Sequence, residues 1–260
     1  MEEDFSKYNG EGTILRKAQL RMLDILIEVD RICRKHEIPY WLEGGTLLGA
    51  VRHGGFIPWD DDLDICVERK NIKKLKKILI NELPNDYLWQ DRFTDFRFPI
   101  VIAKVREKNS FIREDFSDKL KCSGLYLDII PVENIISPRI KSFLDYVYGH
   151  SVRSIHAGPL SFSDACLSYL SFIPARVAVA IIRFLTIFSK GSKIGHVYGW
   201  RSYNLVSSDD IFPLTEIEFE GHGFLSPANS HNYLTALFND YMQIPPKEKR
   251  ETHSSTYVFD

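Results

Sequence analysis

The spacing of hydrophobic and polar positions along the chain predicts a mixed α/β protein. Between about Thr13 and His36, hydrophobic residues recur every three or four positions, which predicts one long amphipathic helix. The buried stripe of this helix comprises Met22, Ile25, Leu26, Val29, Ile32 and Cys33. A second helix is predicted over Asn71 to Asn81, and further strands over Tyr87 to Gln90, Phe98 to Arg106 and Leu125 to Ile130.

The most informative stretch runs from Tyr40 to Glu68. A short apolar strand is followed by Gly44-Gly45, where the chain has the freedom for a sharp turn, and Thr46 is predicted to cap a short helix that ends at Gly54-Gly55. The amides of Gly45 and Thr46 would then lie at a helix N-terminus, where partial positive charge favours a phosphate. Gly44, Gly45 and Thr46 are therefore candidates for binding phosphate.

Four acidic residues follow this turn, and the last two alternate with the apolar residues of a predicted half-buried strand. Asp62 and Asp64 should point to the same face, with Cα atoms roughly 6.5 to 7 Å apart. Carboxylates that close repel one another, and a hard divalent cation relieves the repulsion, with Mg²⁺ the first expectation and Mn²⁺ the second. Asp60 and Asp61 fall in the approach loop, where they are expected to orient an acceptor or a bound water. The alternative is a solvated loop with a helix cap.

Three segments resemble the LicD family, which is related to fukutin and fukutin-related protein. They are GGTLLGAVRHGGFIPWDDDLDI (44–65), GLYLDIIPV (124–132) and IFPLTEIEFEGHGFLSPANSHNYLTALFNDYMQIPP (211–246). The resemblance implies an α/β (α+β) fold: a nucleotidyltransferase-like mixed sheet flanked by helices, with a helical insertion. It also implies metal-dependent transfer of a phosphorylated substituent, typically phosphocholine from CDP-choline, to a cell-surface glycan such as lipopolysaccharide, teichoic acid or capsule.

The resemblance also implies a third carboxylate, on a strand next to the first two. Asp128 lies in the otherwise apolar run LYLDIIPV, and a carboxylate there is costly unless it is paired or bound to a metal. Asp62, Asp64 and Asp128 are thus the expected catalytic residues and metal ligands. Whether Asp128 binds metal or accepts the proton of the acceptor hydroxyl stays open, as does a role capping the turn before Pro131.

Cationic candidates for donor phosphates lie in two places. Lys104 and Arg106 share one face of a predicted strand, where they would meet phosphates or instead pair with the aspartates or with surface groups. Arg52 and His53 lie in the glycine-flanked stretch, and His53 would donate to a phosphate oxygen or interact with the end of the helix.

The tract 164–190 is the most apolar in the chain. Pro174, Arg176 and Arg183 interrupt it, so it is not expected to span a membrane cleanly. Two placements stay open: a basic amphipathic helix in peripheral contact with a membrane, or a buried helix of the insertion, which we favour. The chain is expected to divide into a catalytic core (1–135), a helical insertion (136–200) and a C-terminal segment packed on the core (201–260).

Composition adds little to this interpretation. With 260 residues, 44% hydrophobic content and a net charge of -2, the chain can bury a sizeable core, and its charge does not indicate nucleic-acid binding. Four scattered cysteines signal neither a zinc site nor a disulfide framework, and the acidic, polar N-terminus does not resemble a signal peptide. A cytoplasmic location is expected, with peripheral contact at the inner face of the plasma membrane.

The expected partners are a CDP-linked donor and a glycan acceptor, lipid-linked if the apolar tract contacts the bilayer. Two other functions remain open. The same metal geometry would serve a nucleotidyltransferase acting on a nucleoside triphosphate. A fold without activity would instead serve as a glycan- or membrane-binding module.

Overall fold

A computed structural model describes residues 4–158, 161–188, 193–200, 205–250, 252 and 256–259. Its helices are α1 (Ser6–Asn9), α2 (Ile14–Lys35), α3 (Gly44–His53), α4 (Arg69–Glu82), α5 (Pro138–Ala157), α6 (Phe162–Phe188), α7 (Ser208–Ile211) and α8 (Ser230–Phe238). Its strands are β1 (Trp41–Leu42), β2 (Asp64–Glu68), β3 (Tyr87–Gln90), β4 (Ala103–Glu107), β5 (Ser110–Ile112), β6 (Tyr126–Asn134), β7 (Lys193–His196), β8 (Val206–Ser207), β9 (Thr215–Phe219), β10 (His222–Ser226) and β11 (Tyr257–Phe259).

The main sheet is mixed, as the sequence predicts, and β6 lies at its centre. The strands run in the order β1-β2-β6-β4-β3, with β2 parallel to β6 and β4 antiparallel to it. The second half of β6 also pairs with β7, which in turn pairs with β8. Two-stranded ribbons, β9–β10 and β5–β11, complete the described strands. Because β6 is flanked on both sides, residues from three strands converge on its first half.

The long N-terminal helix is confirmed. Thr13 accepts a hydrogen bond from the Arg16 backbone and caps α2, and the six predicted core positions are all fully buried against the sheet. The strand predicted over Phe98 to Arg106 is shorter, since only Ala103–Glu107 pairs as β4. The helix predicted to start after Thr46 starts earlier, at Gly44, with Glu43 at the N-cap position. It ends at Gly54 in the left-handed conformation, as predicted.

Helices α5 and α6 form a hairpin between β6 and β7. The two helices share a small core of their own, built from Leu144, Tyr148 and Val152 on α5 and Ala175 and Val179 on α6. The outer face of α6 is exposed, so the favoured prediction of a buried helix is wrong for that face. By length and composition alone, Phe162–Thr186 qualifies as a membrane-spanning candidate. Residues 189–190 of the apolar tract lie outside the described residues, and the division at 135 and 200 stays a prediction.

Candidate active site

The three predicted carboxylates meet in one cleft at the centre of the sheet. Asp64 opens β2 and pairs in register with Asp128 on the parallel strand β6, while Asp62 lies two residues ahead of β2. All three line a cleft of about 600 Å³, together with Gly44 and Lys104. The parallel register of β2 and β6 therefore produces the convergence that the sequence pattern predicted.

The cleft brings several carboxylates together in a buried environment, which opposes their ionisation. Burial raises the pKa of Asp64 well above its usual range, and repulsion from Asp62 and Asp128 raises it further. Burial likewise raises the pKa of Asp128 to about 6, although Lys104 acts in the opposite direction. The nearest cation to Asp128 is Lys104, whose Nζ lies 3.0 Å from Oδ1, an ion contact rather than an aligned hydrogen bond. This buried oxygen and the mutual repulsion fit a hard divalent cation bound by Asp62, Asp64 and Asp128.

The N-terminus of α3 forms one wall of the cleft. Leu47 is the first residue whose amide closes a helical hydrogen bond, to the carbonyl of Glu43, so the amides of Gly44, Gly45 and Thr46 belong to the open first turn. Gly44 has φ +50 and lines the cleft. Thr46 is not the helix cap: its Oγ1 accepts a hydrogen bond from the Asp64 amide at 2.8 Å, which holds α3 against the start of β2.

Gly45 has a packing role that the sequence did not reveal. A Cβ at this position would lie 2.7 Å from Oδ2 of Asp60, so the absence of a side chain lets the aspartate loop approach the helix. The neighbouring Asp61 is fully buried and accepts a hydrogen bond from the Tyr257 hydroxyl at 2.6 Å. The expectation that Asp61 orients an acceptor is therefore wrong, because it anchors the loop to β11.

Arg52 and His53 do not reach the cleft. They lie at the opposite end of α3, about 12 Å from Gly44 at 1.5 Å per residue. Arg52 donates to the carbonyl of Tyr241 at 2.8 Å and to the His53 ring at 3.0 Å. Burial, with Arg52 close by, lowers the pKa of His53 to about 4, so its ring is neutral near pH 7. The prediction that these two residues bind donor phosphate is contradicted by this placement.

Lys104 is placed in the cleft, but it is already paired. On β4 it lies opposite Asp128, and its Nζ contacts Glu114 Oε1 at 2.9 Å and the ring centroid of Tyr126 at 3.2 Å. The alternative that Lys104 pairs with the aspartates is confirmed. Arg106, on the same face, is fully buried and donates to Glu114 at 2.6 Å. Both cations thus fix the carboxylates on the β4 side of the cleft.

Sequence reasoning missed a buried network in the wall of the cleft, which Glu43 and His196 line. Glu43 accepts hydrogen bonds from His196 on β7, at 3.1 Å, and from the Tyr233 hydroxyl on α8. Burial opposes ionisation of Glu43, but these partners outweigh it and hold its pKa below the usual range. The ligand atoms of Glu43, Cys66 and His196 lie within 4.8 Å of one another. Glu43 directly precedes Gly44-Gly45, so its position in the sequence could have indicated a role in the site. No motif surrounds His196 that could have indicated the same.

The arrangement suits chemistry on a phosphate ester or diphosphate. Clustered carboxylates supply ligands for a cation, the open turn of α3 supplies amide donors, and a cleft of about 600 Å³ leaves room for a nucleotide-sized ligand. The buried network in the cleft wall connects β1, β7 and α8, which are far apart in sequence, and so holds that wall in place.

Comparisons with known proteins agree with this geometry. Residues 37–162 match the family model described as LicD/FKTN/FKRP, nucleotidyltransferase domain. The chain is 29% identical over 255 residues to the lipopolysaccharide cholinephosphotransferase LicD of Haemophilus influenzae, covering 92% of this chain and 95% of that protein. It is also 46% identical over 41 residues to the human ribitol 5-phosphate transferase FKRP, a match that covers 16% of this chain and 8% of that protein.

A third relative is an uncharacterized protein of Rickettsia prowazekii, 41% identical over 78 residues, which are 30% of this chain and 28% of that protein. The family match spans α3, β2 and β6 and so includes Asp62, Asp64 and Asp128. Residues 37–162 are thus similar to the nucleotidyltransferase domain of the LicD/FKTN/FKRP family, and the chain as a whole is similar to a LicD-type phosphotransferase.

Proposed function

We propose that this protein transfers a phosphorylated substituent, phosphocholine in the first instance, from a CDP-linked donor to a sugar hydroxyl of a cell-surface glycan. The observation that carries the proposal is the cleft in which Asp62, Asp64 and Asp128 meet the open end of α3. A relative that matches 92% of this chain is named a lipopolysaccharide cholinephosphotransferase, which supports the choice of phosphocholine and lipopolysaccharide.

In the proposed reaction, an oxygen of the acceptor hydroxyl bonds to the distal phosphorus of the donor. The bond from that phosphorus to the bridging oxygen breaks, and CMP leaves with the electron pair. Asp62, Asp64 and Asp128 would hold Mg²⁺, which when bound supplies positive charge to the diphosphate and to the leaving group. The amides at the start of α3 add donors for the phosphate oxygens.

The surrounding residues keep the carboxylates in place. Lys104, paired with Asp128 and Glu114, favours the ionised form of both groups and fixes their orientation. The amide of Asp64 is tied to Thr46, which fixes the distance between β2 and the phosphate-binding turn. The proton of the attacking hydroxyl passes to a base in the cleft, for which Asp128 is the candidate.

A panel of donors tests this proposal. Purified protein, Mg²⁺ and lipopolysaccharide are incubated with CDP-choline, CDP-ethanolamine, CDP-glycerol or CDP-ribitol, and separately with CTP or ATP. Release of CMP with labelling of the glycan is expected from CDP-choline. Release of pyrophosphate alone, from a nucleoside triphosphate, would overturn the proposal and assign nucleotidyl transfer instead. No product from any donor would favour an inactive binding module.

Variants connect the activity to the cleft. Asp62→Asn and Asp64→Asn should each reduce kcat/KM by about a hundredfold or more, because each removes a charge that holds the cation. The matched control is Asp86→Asn, which changes an exposed aspartate before β3, outside the cleft, and should retain activity within about twofold. Unchanged transfer by both cleft variants would contradict the assignment of the site.

A further inference from the structure

The outer face of α6 is a wide apolar surface that is exposed among the described residues of the chain. At 100° per residue, its exposed side chains cover about 160° of the helix without a charge. The large exposed residues on this face are Phe162, Leu167, Tyr169, Leu170, Ile173, Val177, Ile181, Phe184 and Leu185. Contiguous apolar surface of this extent marks an interaction site on a folded protein.

Helix α5, which packs on α6, also exposes apolar side chains. Ile136, just ahead of α5, and Ile140, Phe143 and Tyr146 on it are between 42% and 65% exposed and recur every three or four residues. Together with the outer face of α6 they form what we call the hairpin surface. Both helices of one structural unit therefore present apolar side chains to the outside.

Polar contacts hold the opposite face of α6 against the rest of the protein. Asp164 accepts from Ser154 at 3.0 Å and lies 2.6 Å from His150, both on α5. Near the other end, Arg183 forms a two-pronged ion pair with Glu133 at the end of β6, at 2.7 Å. Because one side of α6 is bonded to α5 and β6, the helix suits a position on a bilayer surface rather than one surrounded by lipid.

The charge on the hairpin surface favours a bilayer over a second copy of the chain as its binding partner. Among the described residues of α5 and α6, the exposed charged side chains are Arg139, Arg153 and Arg176, whereas Asp145 is buried and Asp164 is largely covered. Arg153 lies 3.6 Å from the exposed Asp115, so Arg139 and Arg176 carry the charge argument. A second copy docking the same face would bring arginines against arginines. Anionic lipid headgroups provide the opposite charge, with about 1 kcal/mol for each basic residue near the surface.

We propose that the hairpin surface lies on an anionic phospholipid bilayer, with its apolar side chains at the headgroup boundary and its arginines among the lipid phosphates. Tyr146 and Tyr169 are placed as interfacial aromatic residues. The inference concerns binding alone and does not depend on which group the cleft transfers.

The hairpin surface is also continuous with the cleft. A second cavity of about 300 Å³ is lined by Tyr146 and Arg153 of α5 and by Ile100 and Trp200. Ile100 and Trp200 line the aspartate cleft as well, so the two spaces adjoin. A substrate anchored in the bilayer would therefore reach the carboxylates along α5; this last step rests on the proposed function.

Vesicle sedimentation tests the binding. The full chain is mixed with vesicles of phosphatidylcholine alone or of phosphatidylcholine and phosphatidylglycerol in equal parts, at low and high salt. We expect binding to the anionic vesicles that weakens with salt. The double variant Ile173→Glu/Phe184→Glu should bind at least about tenfold more weakly, and Arg139→Gln/Arg176→Gln about 25-fold more weakly, from about fivefold per arginine.

The matched control places the same changes on other helices. Ile14→Glu/Ile80→Glu alters residues that are 55% and 53% exposed on α2 and α4, against 59% and 60% for Ile173 and Phe184. The control should bind like the parent, and circular dichroism should show all variants folded.

Three outcomes would overturn the proposal. The first is that the parent protein does not bind vesicles, and the second is that the control variant loses as much vesicle binding as Ile173→Glu/Phe184→Glu. The third is a dimer in sedimentation velocity that Ile173→Glu/Phe184→Glu dissociates and that vesicles do not dissociate. The last outcome would assign the hairpin surface to a second copy.

Discussion

The crowding of carboxylates in the cleft predicts that Asp128→Asn stabilises the metal-free protein at alkaline pH. The pKa of Asp128 is about 6 in the fold because the group is buried, against about 3.9 for an unperturbed aspartate. An acid whose pKa is raised by folding costs stability once it is ionised. The cost is absent below about pH 4, grows as the pH rises through the interval between the two pKa values, and is complete above about pH 6.

The size of the effect follows from the same values. At about 1.36 kcal/mol per pKa unit, holding Asp128 ionised costs the fold about 3 kcal/mol at pH 8. Asparagine has the same shape and no charge, and its amide oxygen still faces Lys104, which keeps Glu114 as a partner. The variant should therefore gain up to about 3 kcal/mol in the free energy of unfolding at pH 8, and almost nothing at pH 4.

Urea unfolding in the presence of EDTA measures this difference, with circular dichroism as the readout at pH 8 and pH 4. Adding Mg²⁺ should stabilise the parent protein at pH 8 and leave Asp128→Asn nearly unchanged, because the variant has lost a ligand. A variant that is less stable than the parent by the same amount at both pH values would show that ionised Asp128 does not destabilise the fold. In that case Asp128 would be an ordinary partner of Lys104, and the cleft would carry no electrostatic strain.

Three further changes have expected outcomes in urea unfolding. Lys104→Met should destabilise the protein by about 3 to 5 kcal/mol, because it leaves two carboxylates buried beside an apolar side chain; an effect below about 1 kcal/mol would contradict the pairing. Gly49→Ala should destabilise by about 2 kcal/mol or more, since its Cβ would lie 2.4 Å from the Gly55 carbonyl oxygen; helix propensity alone predicts a gain of about 1 kcal/mol, the opposite sign. Between pH 6.5 and pH 4 the half-buried His53 ring is neutral in the fold and gains a proton on unfolding, so acid lowers the free energy of unfolding. His53→Gln should remove about 1 to 2 kcal/mol of that loss. An unchanged pH dependence would contradict this.

The parts of the site that the sequence predicted are those encoded by local pattern. Period-2 alternation placed Asp62 and Asp64 on one face. The Gly-Gly pair located α3 only approximately, since the helix starts at Gly44 rather than after Thr46. Asp128 was found because a carboxylate in an apolar run needs a partner, and the register of β2 with β6 supplies the position. These inferences depend on residues that are close in sequence or on a single conspicuous charge.

The parts that were missed or wrong depend on contacts between distant segments. His196 meets Glu43 only because β7 pairs with the second half of β6, a pairing that no local pattern encodes. Arg52 was assigned to phosphate because it lies in the glycine-flanked stretch, yet the length of α3 places it at the far end of the helix. The exposed face of α6 was similarly hidden, because an apolar tract has the same composition whether it packs in a core or faces a bilayer.

The proposed function requires that the three aspartates hold a cation that binds the donor diphosphate. Calorimetric titration of CDP-choline into the parent protein and Asp64→Asn, each with Mg²⁺ and with EDTA, tests it most directly. We expect the parent to bind only when Mg²⁺ is present, and Asp64→Asn to bind at least about tenfold more weakly under the same conditions. Equal affinity for CDP-choline in Mg²⁺ and in EDTA would contradict it.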